Sequence, residues 1–161
     1  MIDIEPVTVI MSLLLFGAFT VPFIYHSQKN KKKEKSLLSK LSEGASQQNA
    51  IPNEQETWRQ LYAIGMDTSK KILVYHRENE QTSVLNLNEF SKVKLQKSNL
   101  EIANGEATRT VLHSLNLELI PKNAHASSIF LELYDGDRFS DLLGETVLAE
   151  KWEKIIQSNL N

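Results

Sequence analysis

Residues 7–25 form an uninterrupted apolar segment, VTVIMSLLLFGAFTVPFIY, with no charged side chain in nineteen positions. The hydroxyls of Thr8, Ser12 and Thr20 can bond to carbonyl groups of their own helix, so they are tolerated in hydrocarbon. As a helix, the segment covers close to 30 Å, about the thickness of the bilayer core. The sequence therefore predicts one transmembrane anchor over residues 1–28.

Two other interpretations of this segment fit the sequence less well. A cleaved signal peptide has a basic start and a small-residue cleavage site, whereas this chain begins with the acidic Asp3 and Glu5 and has no A-x-A pattern. The core helix of a soluble protein is rarely apolar on every face, and this one is followed by the charged run KNKKKEK. A membrane anchor remains the better interpretation.

The distribution of charge predicts the orientation of the anchor. No Lys or Arg precedes the apolar segment, and residues 26–50 carry six Lys against two Glu. The positive-inside rule then places the N-terminus outside and the rest of the chain in the cytoplasm, at the cell (inner) membrane. The membrane-surface residues are predicted to be Lys29, Lys31, Lys32, Lys33 and Lys35. Each such charge gains about 1 kcal/mol near anionic headgroups, and a more specific lipid-binding role is the alternative.

Residues 29–55 are interpreted as a basic juxtamembrane helix followed by a linker. Leu37, Leu38 and Leu41 share one helical face, which leaves open a short helix that continues from the anchor, one that lies along the membrane surface, or a helix–helix contact. Residues 45–55 (ASQQNAIPNEQ) are polar and lack periodicity, as is typical of a linker. The remaining residues, 56–161, are predicted to be a single cytoplasmic domain, and residues 51–161 are expected to fold autonomously.

Short segments with period-two alternation dominate the first part of this domain. They predict about six antiparallel strands, with turns at residues 67–70 and at Asn104-Gly105. Residues 145–160 then switch to helical spacing, with Leu148, Trp152 and Ile156 on the apolar face. The candidate strands are residues 57–66, 71–77, 82–87, 92–97, 108–120 and 127–134.

The fold class predicted from this order is an N-terminal transmembrane helix joined to an α+β domain. That domain is a mainly antiparallel curved sheet or partial barrel, closed by the C-terminal amphipathic helix. The layout is similar to the pleckstrin-homology-like (PH-like) superfold, which hosts lipid binders, peptide binders and scaffolds. Fold alone does not assign function.

The whole chain also resembles a group of small bacterial single-pass membrane proteins with a PH-like, β-rich cytoplasmic domain. The matching pieces are residues 29–35, residues 63–67 (AIGMD) and residues 148–156 (LAEKWEKII). The resemblance implies a similar layout, and it implies no activity.

The composition argues against several kinds of function. The chain has no cysteine, which excludes disulfides, thiolate zinc sites and a cysteine nucleophile. Residues 51–161 hold twelve Lys and Arg against sixteen Asp and Glu. An acidic domain of this kind is a poor partner for nucleic acid, which requires clustered cations. No nucleic-acid partner is therefore expected.

No residue pattern predicts catalysis, a cofactor or a metal. The four histidines, His26, His76, His113 and His125, lack metal-ligand spacing, and His113 fits a core histidine best. The sequence Asp135-Gly136-Asp137, followed by Asp141 and Glu145, has the residue types of a Ca²⁺ or Mg²⁺ site but fails the EF-hand pattern. Turn chemistry explains the Asp-Gly-Asp sequence better.

Three functions remain after these exclusions. The first is a membrane-tethered, non-enzymatic binding or scaffolding module with a protein partner. The second is a domain that senses lipid headgroups through the lysines of residues 29–40 together with basic residues such as Lys92, Lys94 and Lys97. The third is a small metal-dependent or hydrolytic enzyme. Trp152 is the one candidate interaction residue: it either packs beneath the helix onto the sheet, with its indole N–H bonded at the rim, or is presented to a partner.

Overall fold

A computed structural model describes residues 6–104 and 107–160. Its first element is one unbroken helix, α1 (Pro6–Ser46), of 41 residues. The first half of α1 is long and apolar enough to cross a membrane, and its most apolar 18-residue window is 0% buried inside the protein. Large side chains such as Leu13, Phe16 and Phe19 are each 66–70% exposed. This segment is therefore not a core helix of the described fold.

The rest of the chain forms two antiparallel sheets and a second helix. The first sheet has the order β1-β2-β3-β4 and the second the order β5-β6-β7. The α+β class predicted from the sequence is confirmed. The elements are β1 (Glu54–Trp58), β2 (Tyr62–Asp67), β3 (Ile72–Arg77), β4 (Ser83–Asn86), a short 3₁₀ turn (Leu87–Glu89), β5 (Phe90–Asn104), β6 (Ala107–Pro121), β7 (Ile129–Asp135) and α2 (Glu145–Asn159).

The described chain has seven strands rather than about six, because residues 57–66 form a hairpin and not one strand. Arg59 and Gln60 turn the chain with φ of 53° and 54°, and the Leu61 amide donates to the Trp58 carbonyl over 3.2 Å. Neither residue type marks a left-handed turn, so the alternation continues through it in the sequence. The predicted turn at Asn104-Gly105 lies partly outside the described residues; strand pairing reaches Asn104 and Ala107.

The main core lies between the two sheets and is closed by α2. Leu115, Leu117 and Leu119 of β6 face Ile64 and Leu73 of the first sheet's inner side within one buried cluster. Trp152 and Ile156, from the predicted apolar face of α2, belong to the same cluster, and Leu148 packs against the margin of that cluster. The helical periodicity of this segment and its role in closing the sheets are confirmed.

A second, smaller core lies on the outer face of the first sheet, and α1 covers it. Leu37, Leu41 and Ala45 are buried there against Ile72 and Val74. The leucine stripe seen in the sequence thus packs on the domain itself and not on the membrane surface or another helix. This packing explains why every residue of β2 is buried, since the strand has protein on both faces.

The segment predicted as a polar linker is also held against the domain. Ala50 is buried, the Ile51 amide donates to Asp67 Oδ2 over 2.9 Å, and β1 already begins at Glu54. The Asp67 carboxylate also accepts hydrogen bonds from Ser69, and these contacts lower the pKa of Asp67 to about 2. Polar composition indicated a free linker here, whereas the hydrogen bonds of the Ile51 amide to Asp67 and of the Asn53 amide to the Met66 carbonyl hold the segment in place.

Candidate functional site

A groove of about 430 Å³ lies between β1 and the start of α2. One wall is the strand from Glu56 to Trp58, ending at the Arg59 turn. The other wall is formed by Leu143, Gly144 and Glu145 together with Val147, Leu148 and Lys151. The groove therefore runs between an edge strand and a helix, so regular secondary structure lines both of its sides.

Exposed apolar side chains are concentrated at this groove. Leu143 and Val147 are each 72% exposed, and the neighbouring Leu142 is 43% exposed. Val147 lies in the first turn of α2, and Leu142 and Leu143 lie in the loop that leads into it. The backbone therefore holds all three in position. Outside the apolar half of α1, the other large exposed hydrophobic residues of the described chain are scattered singly: Ile51, Leu100 and Phe130.

Arg59 fixes the two walls of the groove relative to each other. From the β1–β2 turn, its guanidinium donates to Glu145 Oε1 and to Asp141, with Nη1 lying 3.2 Å from Asp141 Oδ1. The same group lies 4.5 Å from the centroid of the Phe139 ring, within cation–π range. Burial would lower the pKa of Arg59, but the hydrogen bonds and charges of Glu145 and Asp141 outweigh it and raise the pKa.

Trp152 lies beneath the groove and not on its surface. Its side chain is buried, and the indole Nε1 donates to Glu56 Oε2 over 3.1 Å. Lys151 Nζ lies 2.7 Å from the same carboxylate oxygen. This is the packed alternative of the sequence analysis, with its partner at the rim. Burial removes Trp152 as a residue presented to a partner, and the exposed residues beside it take that position.

The predicted membrane-surface lysines follow the apolar part of α1, and four of the five are exposed. The exception is Lys33, whose Nζ lies 3.5 Å from Glu78 Oε2 on the first sheet. Lys33 therefore contributes to docking α1 on the domain. The exposed four are Lys29, Lys31, Lys32 and Lys35.

A second depression, between α1 and the β2–β3 side of the first sheet, is polar. Lys40 and His76 face Glu78 and Glu80 across it. His76 is buried, and its Nδ1 lies 3.0 Å from Thr82 Oγ1. Desolvation, and secondarily the charge of Lys40, lower the pKa of His76. Lysines and glutamates alternate here, so no single sign of charge dominates.

The acidic residues around Gly136 have two separate structural roles. Asp135 Oδ1 accepts the Asp137 amide over 3.0 Å in a turn, and Asp135 Oδ2 pairs with Arg138 over 3.3 Å. Asp141 and Glu145 bind Arg59 instead. Within residues 6–104 and 107–160, no three His, Cys, Asp or Glu side chains gather as metal ligands. His113, expected in the core, is half-buried, with Nδ1 3.9 Å from Asp137 Oδ1.

The residues that form this groove were not predicted from the sequence. Thr57 and Arg59 were both assigned to one predicted strand over residues 57–66, so neither the edge strand nor the turn was predicted. Leu142-Leu143 stands between Asp141 and Gly144, and an apolar pair so flanked is the signal that could have indicated an exposed patch. A comparison with known protein families, with curated proteins and with solved structures found no match to this chain.

Proposed function

We propose that this protein is a membrane-tethered, non-enzymatic binding module that holds a protein partner at the cytoplasmic membrane surface. The observation that carries the proposal is the exposed apolar cluster of Leu142, Leu143 and Val147 beside the β1–α2 groove. Contiguous apolar side chains at a concave site mark interaction surfaces more often than scattered ones do.

The form of α1 supports a tether that is short and stiff. The helix runs without a break from its apolar half to Leu37, where it docks on the first sheet. About twelve residues, or roughly 18 Å of helix, separate the end of the apolar segment from that contact. Such a tether would keep the groove within a narrow range of distances from the bilayer, which suits the capture of a membrane-associated partner.

The PH-like character of the domain is part of the same proposal. Four strands in one antiparallel sheet, three in another and a closing C-terminal helix support it. That architecture carries ligands of several kinds on one scaffold, so the proposed activity depends on the groove and not on the fold. From the matching sequence segments alone, we also propose that this chain belongs with small bacterial single-pass membrane proteins of the same layout.

Proximity labelling in cells tests the proposal. The full chain carries a biotin ligase at its C-terminus, and the control carries the same ligase directly after residue 46. We expect a set of proteins enriched by the full chain over the anchor control, and a Val147→Glu variant should lose the main members. Identical labelling by the full chain and the anchor control would reject a binding role for the domain.

Anionic headgroups are a second candidate ligand, favoured by one observation. Lys29, Lys31, Lys32 and Lys35 are exposed directly after the apolar segment. Residues 29–161, which lack that segment, should then sediment with vesicles containing anionic lipid and not with neutral vesicles. Changing these four lysines to Gln should abolish the difference, whereas changing Lys70, Lys122 and Lys154, which are exposed elsewhere in the domain, should preserve it.

A further inference from the structure

The outer edge of β1 carries backbone hydrogen-bonding groups that no strand of the described chain pairs. β1 is the first strand of its sheet and has only β2 as a neighbour. The Trp58 carbonyl points to the β2 side, where it accepts from Leu61. Because N–H and C=O groups of alternate residues point to the same side of a strand, those of Gln55 and Thr57 point away from β2.

At two other sheet edges, side chains form hydrogen bonds with the backbone groups that point outward. On β5, the amides of Val93 and Leu95 donate to Gln157 Oε1 and Glu153 Oε1 of α2 over 3.4 and 3.1 Å. On β7, Trp58 Nε1 donates to the carbonyl of Leu133 over 2.9 Å. Proteins commonly protect strand edges in this way. The edge of β1 beside the groove lacks such a side-chain cover in the described chain.

The charges around the groove are already matched. Arg59 is bound by Glu145 and Asp141, and Lys151 is paired with Glu56. The groove therefore offers backbone donors and acceptors on the β1 wall and apolar side chains on the α2 wall, and each of these charged side chains already has a partner of opposite sign. A charged ligand would have to displace one of these pairs, and an acyl chain would leave the strand edge unpaired.

We infer that the groove binds an extended, uncharged peptide segment of a partner protein by adding it as a strand to β1. Backbone bonds would form with Gln55 and Thr57, and an apolar side chain of the segment would rest on Leu143 and Val147. A segment of about five residues matches the length of β1. The inference rests on the proposed function and names the binding mode of that same site.

Peptide selection on the full chain in detergent micelles tests the inference. A displayed library of random octapeptides is selected, and the most enriched peptide is synthesised for fluorescence anisotropy. Two derivatives of this peptide are then made. One carries N-methyl groups on the amides of the odd-numbered residues, and the other carries them on the amides of the even-numbered residues. N-methylation removes amide donors without altering side chains, so one set should weaken binding at least tenfold and the other should have a much smaller effect.

Protein variants locate the peptide. Val147→Glu places a charge on the apolar wall, and Thr57→Pro removes one outward amide at an edge position where proline is tolerated. Each should weaken binding at least tenfold, while Phe130→Ser, an exposed change outside the groove lining, should have no effect. If Thr57→Pro does not fold, Val147→Glu and the methylated peptides decide the question, because the Val147 side chain is 72% exposed.

Several results would overturn the inference, and they separate it from the proposed function. Binding that survives Val147→Glu places the peptide elsewhere and leaves a binding role intact. Equal effects of the two methylation sets would exclude strand addition. A dimer that the peptide dissociates would identify the occupant as a second copy of this chain. If no peptide is enriched, this class of ligand is rejected. The proposed function is then tested separately by proximity labelling.

Discussion

Trp152 of α2 donates its indole N–H to Glu56 of β1 over 3.1 Å, across a sequence separation of 96 residues. This bond joins the closing helix to the edge strand of the first sheet, while Glu153 and Gln157 join the same helix to β5 of the second. α2 therefore connects both sheets, and the walls of the groove are fixed by the same contacts that complete the core.

Trp152→Ala should strongly destabilise the domain. The side chain is only 1% exposed, and truncating a buried aromatic residue costs about 3–5 kcal/mol. Urea denaturation of residues 29–161 measures the effect. The matched control is Lys154→Ala on the exposed face of α2, which should change the free energy of unfolding by less than about 0.5 kcal/mol. Overlapping denaturation curves for Trp152→Ala and the parent would contradict the packing of α2.

Lys151 is not a suitable neutral control, although its position in the sequence suggests one. Helical spacing places it on the polar face, and it is half-exposed, but its Nζ lies 2.7 Å from Glu56 Oε2. Lys151→Ala removes this pair beside the Trp152 hydrogen bond. A loss of up to about 1 kcal/mol is expected for a partly exposed ion pair.

The second core predicts that α1 belongs to the folded domain. Leu41 is fully buried against the outer face of the first sheet, so Leu41→Ala should cost about 2–5 kcal/mol. Ser39→Ala, on the exposed side of the same helix, is the control. Residues 51–161, which lack this helix, should be less stable than residues 29–161 and more prone to aggregate. Equal urea midpoints for the two fragments would show that α1 contributes nothing.

How far the sequence predicts this fold depends on whether a feature is local. The alternation of Leu115, Leu117 and Leu119, and the helical spacing of Trp152 and Ile156, are local patterns that lead directly to β6 and α2. The packing of Leu41 in one buried cluster with Val74 is not local. Three leucines after a lysine-rich segment fit a membrane surface, a partner helix or a sheet equally well, and only the tertiary fold selects the sheet.

Irregular strands account for another part of what the sequence does not predict. Strict alternation places Phe130 and Tyr134 on one face of β7, yet Phe130 is exposed and Tyr134 is buried. The pairing of β6 with β7 shifts register between Leu115 and Asn116, so the bulge turns Tyr134 inward. The groove was not predicted for a similar reason, since one of its walls ends at the left-handed turn of Arg59 and Gln60, which separates β1 from β2.

The burial of His76 predicts a loss of stability at mildly acid pH. Desolvation, followed by the charge of Lys40, lowers the pKa of His76 in the folded chain, while the unfolded chain keeps a value near 6.5. The unfolded state therefore binds more protons as the pH falls below about 6.5, and the free energy of unfolding declines until the pH passes the lowered pKa.

His76→Gln should remove this part of the pH dependence. Urea denaturation of residues 29–161 between pH 7.5 and 5 measures it, and the parent should lose stability on acidification more steeply than the variant. His125→Gln, in an exposed loop, should follow the parent at every pH. Parallel curves for the parent and His76→Gln would mean that His76 is as easily protonated in the folded chain as in the unfolded one.

Orientation in the membrane is the last prediction. Five lysines, Lys29, Lys31, Lys32, Lys33 and Lys35, immediately follow the apolar segment, and no Lys or Arg precedes it. Since positive charge close to the end of a span is retained in the cytoplasm, protease added to intact cells should spare a C-terminal tag and digest it only after lysis. Changing the five lysines to Gln should expose the tag in a fraction of the molecules. The matched control changes five lysines farther along the chain, Lys92, Lys94, Lys97, Lys122 and Lys154, and should leave the tag protected, because distant charges have little influence on orientation. Digestion of the tag in intact cells expressing the unaltered chain would place the domain outside, and the groove would then have to meet its partner on the opposite side of the membrane.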